Sequence, residues 1–478
     1  MKPRSIRLPA LLLLALPVGL AWAWTGFCGY QGLNGQDAYD YLRIARAWTA
    51  WAHGGPMPRM QEHPHGYPIA GALLGSITGS EGLALHLLSA ASLVVLALLF
   101  RGVLLRAFPQ QRGQVDLFVL LAFVLAPFPL RQSMTVMSDM PALALLGVGF
   151  ACTVHWASER RGYLLLAAAL AALLATAMRL AAAIPALLLA LAVCIGPAAG
   201  RNRRLALVLA FTVAAALVLL LAVPWEGIRS LAAHSPVGDW SPWNLFRRKL
   251  RSDDGVLHYR FPNLLYALGT VVHPGFLPWG ALLLPFVRRA DLGSTPARMA
   301  LVTVAGYLLF MAGMPFQNDR VLLPVQPFLA LLLFPAFVRA LGLLRARLPR
   351  PRWALPALLA AVVAAQAALF ARATLPFIRQ ARTERELAAL VNAGHVRHVY
   401  THGMGAALGS LCPGVEVTEL WYGTLPRFEH DAWLVVQPAN LQAQWQGRPP
   451  GINWEHAREQ GLDTLLVRSD GWTVARVR

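Results

Sequence analysis

Residues 83–104 read LALHLLSAASLVVLALLFRGVL, an apolar run whose only ionisable side chains are His86 and Arg101. As an α-helix rising about 1.5 Å per residue, such a run crosses the roughly 30 Å hydrocarbon core of a bilayer. Runs of the same kind lie on both sides of it, at 9–27, 116–130, 140–157, 163–178, 180–197, 204–224, 264–287, 299–314, 321–343 and 353–375. Arg179 alone separates 163–178 from 180–197, so this pair reads either as two spans or as a re-entrant hairpin. The stretch 69–79 reads as a half-helix leading into 83–104. The expected fold class is an all-α polytopic membrane protein of about eleven transmembrane helices. Of the 478 residues, 57% are hydrophobic and only 14% charged, where a soluble domain has about a quarter charged. A water-soluble enzyme of several domains is excluded.

The formal net charge of +19 raises nucleic acid as a partner, and the placement of that charge removes it. Lys2 and Lys249 are the only lysines among the 42 basic residues, and many arginines flank apolar runs in place of forming one basic face. With Lys2, Arg4 and Arg7 cytoplasmic, alternate loops are basic: Arg101, Arg106 and Arg112; Arg160 and Arg161; Arg201, Arg203 and Arg204; Arg288, Arg289 and Arg298; Arg345, Arg347, Arg350 and Arg352. The short loops opposite carry only Arg131, Arg179 and Arg320, singly, which is the positive-inside pattern. Loops 28–68 and 225–263 and the segment 376–478 then lie outside the cytoplasm. The Arg-rich, Lys-poor composition reads as bacterial, so the expected location is the inner (cytoplasmic) membrane with these segments periplasmic. Residues 9–27, followed through Ala21-Trp22-Ala23, also have the pattern of a cleavable signal peptide, although the run continues to Phe27. No CxxC spacing occurs among the four cysteines. Cys152 and Cys194 read as packing residues, while Cys28 and Cys412 share the outer side, which leaves a disulfide between them open.

Composition changes near residue 376. The expected organisation is a transmembrane domain over 1–375 and a small extracytoplasmic α/β domain over 376–478. Residues 383–393 (TERELAALVNA) read as a helix capped by Thr383, with Glu386 at capping-box spacing. Short strands are expected at 396–401, 433–437, 464–468 and 472–477. No nucleotide loop or catalytic set stands out in this segment.

The richest chemistry is in the first outer loop. After Asp37, apolar residues at 38, 41, 42, 45 and 48 follow helical spacing, and with Trp48 and Trp51 they read as an amphipathic helix in the membrane interface. Asp37 heads the face of Tyr41, Ala45 and Trp48. An N-cap is one reading of Asp37; a general base is the other, because a carboxylate at the membrane surface against apolar groups is tunable. Asp40 lies on another face, three residues from Arg43, as an ordinary ion pair. The loop closes on Glu62-His63-Pro64-His65-Gly66-Tyr67-Pro68, where Glu62, His63 and His65 make a candidate site for a divalent metal or a sugar hydroxyl, or a solvated turn.

Two further loops reach the same side. Asp139, in Ser138-Asp139-Met140-Pro141, sits at the mouth of the fourth span, either as a cap or as a second carboxylate meeting Asp37 when the spans bundle. Arg320, in Asp319-Arg320-Val321-Leu322-Leu323-Pro324, stands at the outer end of a span, placed to clamp phosphate or to snorkel to headgroups. Arg247, Arg248, Lys249 and Arg251 form a denser basic patch that would hold phosphate or solvate its loop.

At these residues the chain resembles the GT-C superfamily of membrane glycosyltransferases, in particular the aminoarabinose transferases and protein mannosyltransferases. Their first outer loop opens Asp-Glu-x-x-Tyr-x-x-Ile-Ala-Arg, and Asp37, Tyr41, Ile44, Ala45 and Arg46 fall at those positions. Glu62-His63-Pro64 resembles the Glu-Lys-Pro that follows, Ser138 to Pro141 the second acidic loop, and Arg320, Pro324 and Pro327 the late Arg-x-x-x-Pro-x-x-Pro. Ala38 and His63 depart from the pattern, which bears on the acceptor and any metal. The resemblance spans roughly residues 5–375.

It implies transfer of a sugar from a polyprenyl-phosphate donor to an envelope lipid, glycan or protein on the outer side, with inversion. Asp37 and Asp139 would be the catalytic carboxylates. Tyr41, Glu62, His63, His65, Tyr67 and Arg320 would bind substrate, with Glu62 and His63 holding a divalent metal if one is used. The partners implied are the lipid-linked donor, membrane lipid and the acceptor, with no nucleic acid. The alternative is a transporter or flippase of lipid-linked sugars, which would place polar residues near mid-membrane. Here Arg179 is the main charge inside an apolar stretch.

Overall fold

The computed structural model describes residues 8–58, 63–195, 239–252, 255–347 and 353–478. Among these, six helices are long and apolar enough to cross a membrane, or up to seven if one bent pair counts as a span. The long ones are Leu8–Phe27, Glu81–Ala107, Asp139–Glu159, Thr295–Ala312, Asp319–Arg347 and Ala354–Ala393. Gly162–Met178 and Ala183–Ile195 are shorter apolar helices. The expected span 204–224 lies outside the described residues, which carry fewer spans than the eleven expected.

Two expected spans are broken, each for a chemical reason. Arg112–Val124 and Pro127–Ser133 meet at 63°. Pro127 has no N–H to continue the helix, and Ala126 before it is extended. The preceding turn, Leu120–Val124, is π-helical, and carbonyls exposed there need donors that hydrocarbon cannot offer. Two buried glutamines supply them. Gln366 Nε2 donates to Leu121 O at 2.7 Å, and Gln326 Nε2 donates to Ala122 O. The stretch 264–287 is not the single helix its hydropathy suggests. It holds the short helices Asn263–Gly269 and Gly280–Leu283, separated by a segment containing His273-Pro274-Gly275 and Pro278. Gly275 is pinned there, since its carbonyl accepts from Phe128 N at 2.8 Å and an added Cβ would enter the Phe128 ring.

Helices in lipid associate by close packing, with little hydrophobic drive between them. Phe100 stacks on Phe150, with Phe328 edge-on to both, at the centre of the bundle. Gly66 opens the helix Gly66–Thr78 so close to Ala177 that a Cβ would lie 2.6 Å from that carbonyl. This contact brings the first loop against the break between Gly162–Met178 and the next helix. Arg179 sits in that break with extended backbone.

The helix Ala354–Ala393 has 40 residues, a length of roughly 60 Å, or about twice the hydrocarbon thickness. It passes through the expected boundary at 375/376 and accommodates Pro376 in its interior. The expected cap at Thr383 is therefore corrected. Thr383 is mid-helix and donates to Asp470 Oδ2 at 2.8 Å, while Glu386 pairs with Arg468. The last turns, through Leu387, Ala388 and Val391, form a core with Val399, Leu408 and Val435 of the C-terminal segment.

That segment is built on a five-stranded mixed sheet. A separate antiparallel hairpin pairs β1 (Lys249–Ser252) with β2 (Gly255–His258). The sheet contains β3 (His398–Thr401), β4 (Glu416–Glu419), β5 (Trp433–Val436), β6 (Leu462–Val467) and β7 (Thr473–Val477) in the order β4-β3-β5-β7-β6. β3 runs parallel to β4 and β5, and β7 antiparallel to β5 and β6. The helix Gly405–Leu411 crosses from β3 to β4. Strand β4 was not expected, although Val415 and Val417 alternate with Glu416 and Thr418. Cys28 and Cys412 are both free thiols. Cys412 Sγ is turned to Ala388 O, so the disulfide left open by the topology does not form.

Candidate active site

Asp37 lies in the first turn of the helix Gly35–Ala52, whose N-cap is Asn34. Its carboxylate is therefore free of the capping role and points away to Arg320. Arg320 is held by its own local structure. Asn318 caps the short helix Asp319–Leu322, its side chain accepting from Arg320 N at 2.9 Å. Successive side chains of this turn then diverge: Asp319 accepts from Arg131 at 3.2 Å, and Arg320 reaches the opposite way.

Arg320 bridges the two carboxylates. Its Nη1 donates to Asp37 Oδ2 at 2.6 Å and its Nε to Asp139 Oδ2 at 2.8 Å. The planar guanidinium fork makes this possible, since its donors lie in fixed directions. Asp139 is the first residue of the helix Asp139–Glu159, whose N-cap Ser138 makes no side-chain cap bond. It is also paired through Oδ1 with Arg179 Nη1 at 2.5 Å and accepts from Gln132 Nε2 at 3.1 Å. The side chain of Asp139 is 4% exposed, that of Asp37 34%. Asp139 is thus locked by three donors, while Asp37 keeps a solvent-facing side.

The remaining predicted residues divide. His63 Nε2 lies 3.8 Å from Asp37 Oδ1 and 3.9 Å from Asp40 Oδ2, within charge range. Asp40 also pairs with Arg43 at 2.9 Å, as its spacing suggested. Tyr41 is buried between the two acidic elements: its hydroxyl meets Ser138 Oγ at 2.8 Å and its ring packs on His63 and Tyr67. Tyr67 and His65 are drawn elsewhere. The Tyr67 hydroxyl bonds Leu85 O and Ser89, and His65 Nδ1 accepts from Trp48 Nε1 at 3.0 Å. Both brace the loop. The patch Arg247, Arg248, Lys249 and Arg251 is exposed, on or just before β1, and none of its charges is among the described partners of Asp37, Asp139 or Arg320.

Glu62, the other expected metal ligand, lies outside the described residues. Among the described residues no three His, Cys, Asp or Glu side chains group as a metal site. The carboxylate oxygens nearest the centre are already engaged by guanidinium groups, so the donor set suits an anion displacing one arginine contact better than a bound cation.

Burial pushes the Asp37 carboxyl up, but Arg320, with His63 and Arg179 beyond it, outweighs that and holds it below the ordinary carboxylate range. Asp37 is therefore ionised at neutral pH. Behind Asp139 and Arg179 is a small crevice, with room for about one water, walled by Ala142, Leu143, Leu146, Ala181, Ala182, Leu323 and Pro324. A second crevice of similar small size is lined by Leu146, Gly149, Thr153 and alanines of the neighbouring helices.

Arg179 was not among the expected site residues. The signal was present, because a lone charge within apolar sequence needs a partner, but its partner Asp139 is forty positions back in the chain. Gln132 and Ser138 carried no comparable signal.

Among solved structures, the chain is similar to ArnT from Cupriavidus metallidurans in the apo state, at TM-score 0.57 and 18% identity over 96% of this chain and 97% of that one. ArnT bound to undecaprenyl phosphate gives TM-score 0.56 and 17% identity over 96% and 97%. The archaeal oligosaccharyltransferase AglB from Archaeoglobus fulgidus, in complex with an inhibitory peptide and a dolichol-phosphate, gives 0.51 and 12% over 98% of this chain and 74% of that one. No family model and no curated protein matches the sequence. Both structural relatives belong to the GT-C superfamily, and at these identities the likeness is one of fold.

Proposed function

We propose that the chain is a glycosyltransferase that moves a sugar from a polyprenyl-phosphate carrier to an acceptor on the outer side of the membrane, with Asp37 as general base. The observation that carries this reading is Arg320 bridging Asp37, which is open on one side, and the buried Asp139. The relatives support the donor class, since one is described with undecaprenyl phosphate and the other with a dolichol-phosphate.

The chemistry follows from the charges. Asp37 and Asp139 balance Arg320 and Arg179, so within this described foursome no guanidinium is left over for a phosphate. A lipid phosphate entering above the crevice competes for Arg320, whose exposed partner is Asp37. Donor binding then transfers guanidinium donors from Asp37 to phosphate and leaves a desolvated carboxylate beside the anomeric carbon. The acceptor hydroxyl or amine gives its proton to Asp37 as its oxygen or nitrogen bonds the anomeric carbon. The bond from that carbon to the phosphate oxygen breaks on the opposite face, so configuration inverts and polyprenyl phosphate departs with the electron pair. Arg320 and Arg179 stabilise the charge developing on that oxygen. His63, at the position where the resembling families have Lys, stands beside Asp37 to orient phosphate or acceptor.

The test uses a strain lacking the protein, restored with wild type or Asp37→Asn, and mass spectrometry of polyprenyl-phosphate sugars and envelope glycans. The expected result is accumulation of one lipid-linked sugar, and loss of one residue from a glycan, lipid or protein, in the variant only. Equal profiles at equal protein level would replace this reading with transport of the lipid-linked sugar.

A further inference from the structure

We propose that Glu384, assisted by Glu419, is a positioning residue for Asp37, so that the C-terminal segment sets the geometry of the base. The inference rests on the assignment of Asp37 as base.

The helix Gly35–Ala52 begins without a cap of its own. Asn34 has the extended backbone of an N-cap but makes no capping bond, and its Oδ1 instead accepts the Tyr30 hydroxyl at 2.6 Å. The first N–H of the helix, Gly35, is satisfied from another part of the chain. It donates to Glu384 Oε1 at 2.7 Å, and Gln380 Nε2 donates to the same oxygen at 3.0 Å. Glu384 is buried, at 1% exposure, on the helix Ala354–Ala393. Gly35 has φ +68°, a left-handed backbone conformation that glycine adopts without strain.

The next residue is gripped as well. Gln36 Nε2 donates to Glu419 Oε2 at 3.2 Å, and Gln36 Oε1 accepts from Ala406 N at 3.4 Å. Glu419 cannot swing, because it also accepts from Gly403 N at 2.9 Å and Gly405 N at 3.0 Å. A Cβ at Gly405 would lie 2.6 Å from this carboxylate. Asp37 follows directly. Three consecutive residues are thus held by Glu384, Glu419 and Arg320, all more than 280 positions away in the chain. Misplacing a reacting group by about 1 Å costs on the order of a hundredfold in rate, so the grip on residues 35 and 36 has a direct route to turnover through the carboxylate that follows.

The test measures transfer in membranes of the restored strain, with the lipid-linked sugar identified there as donor, together with hydrogen exchange of the purified full chain. Glu384→Leu is expected to lower turnover about tenfold with little change in KM, and to speed exchange in residues 35–42 while the sheet stays protected. Glu384→Gln keeps a carbonyl acceptor for Gly35 and should recover most of the loss. In an Asp37→Asn background Glu384→Leu should add nothing. If Glu384→Leu and Gln36→Ala both transfer within twofold of wild type while Asp37→Asn is inactive, the positioning role is overturned and the base assignment stands. If the leucine variant does not accumulate, Gln36→Ala alone decides, with a severalfold loss of turnover expected at unchanged protein level. An active Asp37→Asn removes the base assignment itself.

Discussion

The first-loop helix and the head of the helix Asp139–Glu159 present the same group to the same arginine and do different things with it. Both Asp37 and Asp139 stand in the first turn of a helix, where a negative charge is favoured by the macrodipole. Asp139 is closed in by Arg320, Arg179 and Gln132 and is nearly inaccessible. Asp37 has one guanidinium, a distant imidazole and an open side. Accessibility separates the carboxylate that can exchange its partner from the one that holds the frame.

The sharpest break between the two is in rate. Asp37→Asn is expected to lower transfer by about 10²–10⁴-fold, the usual contribution of a general base, with the protein still accumulating and losing less stability than Asp139→Asn. Asp139→Asn should do the reverse in emphasis, costing about 3–5 kcal/mol of stability because Arg179 and Arg320 lose a buried counter-charge. A melting curve in detergent and the membrane-inserted yield read that loss directly. If the asparagine at 139 melts like wild type, Asp139 is not the frame and the contrast collapses.

Arg320→Lys sharpens the comparison from the other side. Lysine keeps the charge but cannot donate to two carboxylates in fixed directions, so transfer should fall by roughly ten- to a hundredfold, the worth of a charged hydrogen bond. A wild-type rate in the lysine variant would mean that charge alone suffices.

The smallest effect is in pH. A carboxyl lowered in the folded protein stays ionised below its ordinary value of about 3.9. The Asp37–Arg320 pair therefore stabilises the fold above the unfolded value, and that contribution is lost as pH falls through the folded one. The acid limb of kcat/KM, which reports the free enzyme, should lie below about pH 4. Once phosphate has drawn Arg320 away, burial acts on Asp37 with less opposition, so the acid limb of kcat should sit at higher pH. Coincident limbs would mean that Arg320 does not move.

Much of this was legible from residue order alone. Hydropathy located Leu8–Phe27, Glu81–Ala107, Asp139–Glu159 and Thr295–Ala312 closely, because a bilayer-length apolar run has few alternatives. Loop chemistry singled out Asp37, Asp139 and Arg320, which do meet. What escaped was tertiary. The broken stretch 264–287 is apolar enough to look continuous, and its break depends on Pro, Gly and the Phe128 ring packed on Gly275. Arg179 showed that it needed a partner without showing which. Thr383 had the residue types of a cap, but Pro376 failed to stop the helix that engulfs it. Glu384 carried no signal of its own within 383–393, and its buried partner, Gly35, is 349 positions away.

The 40-residue helix Ala354–Ala393, gripped at one end by the bundle and at the other by Gly35, is a lever. Tilting its membrane portion by about 5° moves a point ~30 Å farther along by roughly 2.5 Å. Hydrogen bonds such as those to Gly35 and Gln36 survive only a fraction of that displacement. A change of bilayer thickness that tilted this span would therefore reach the first-loop helix through the bonds to Gly35 and Gln36, without touching the reacting atoms.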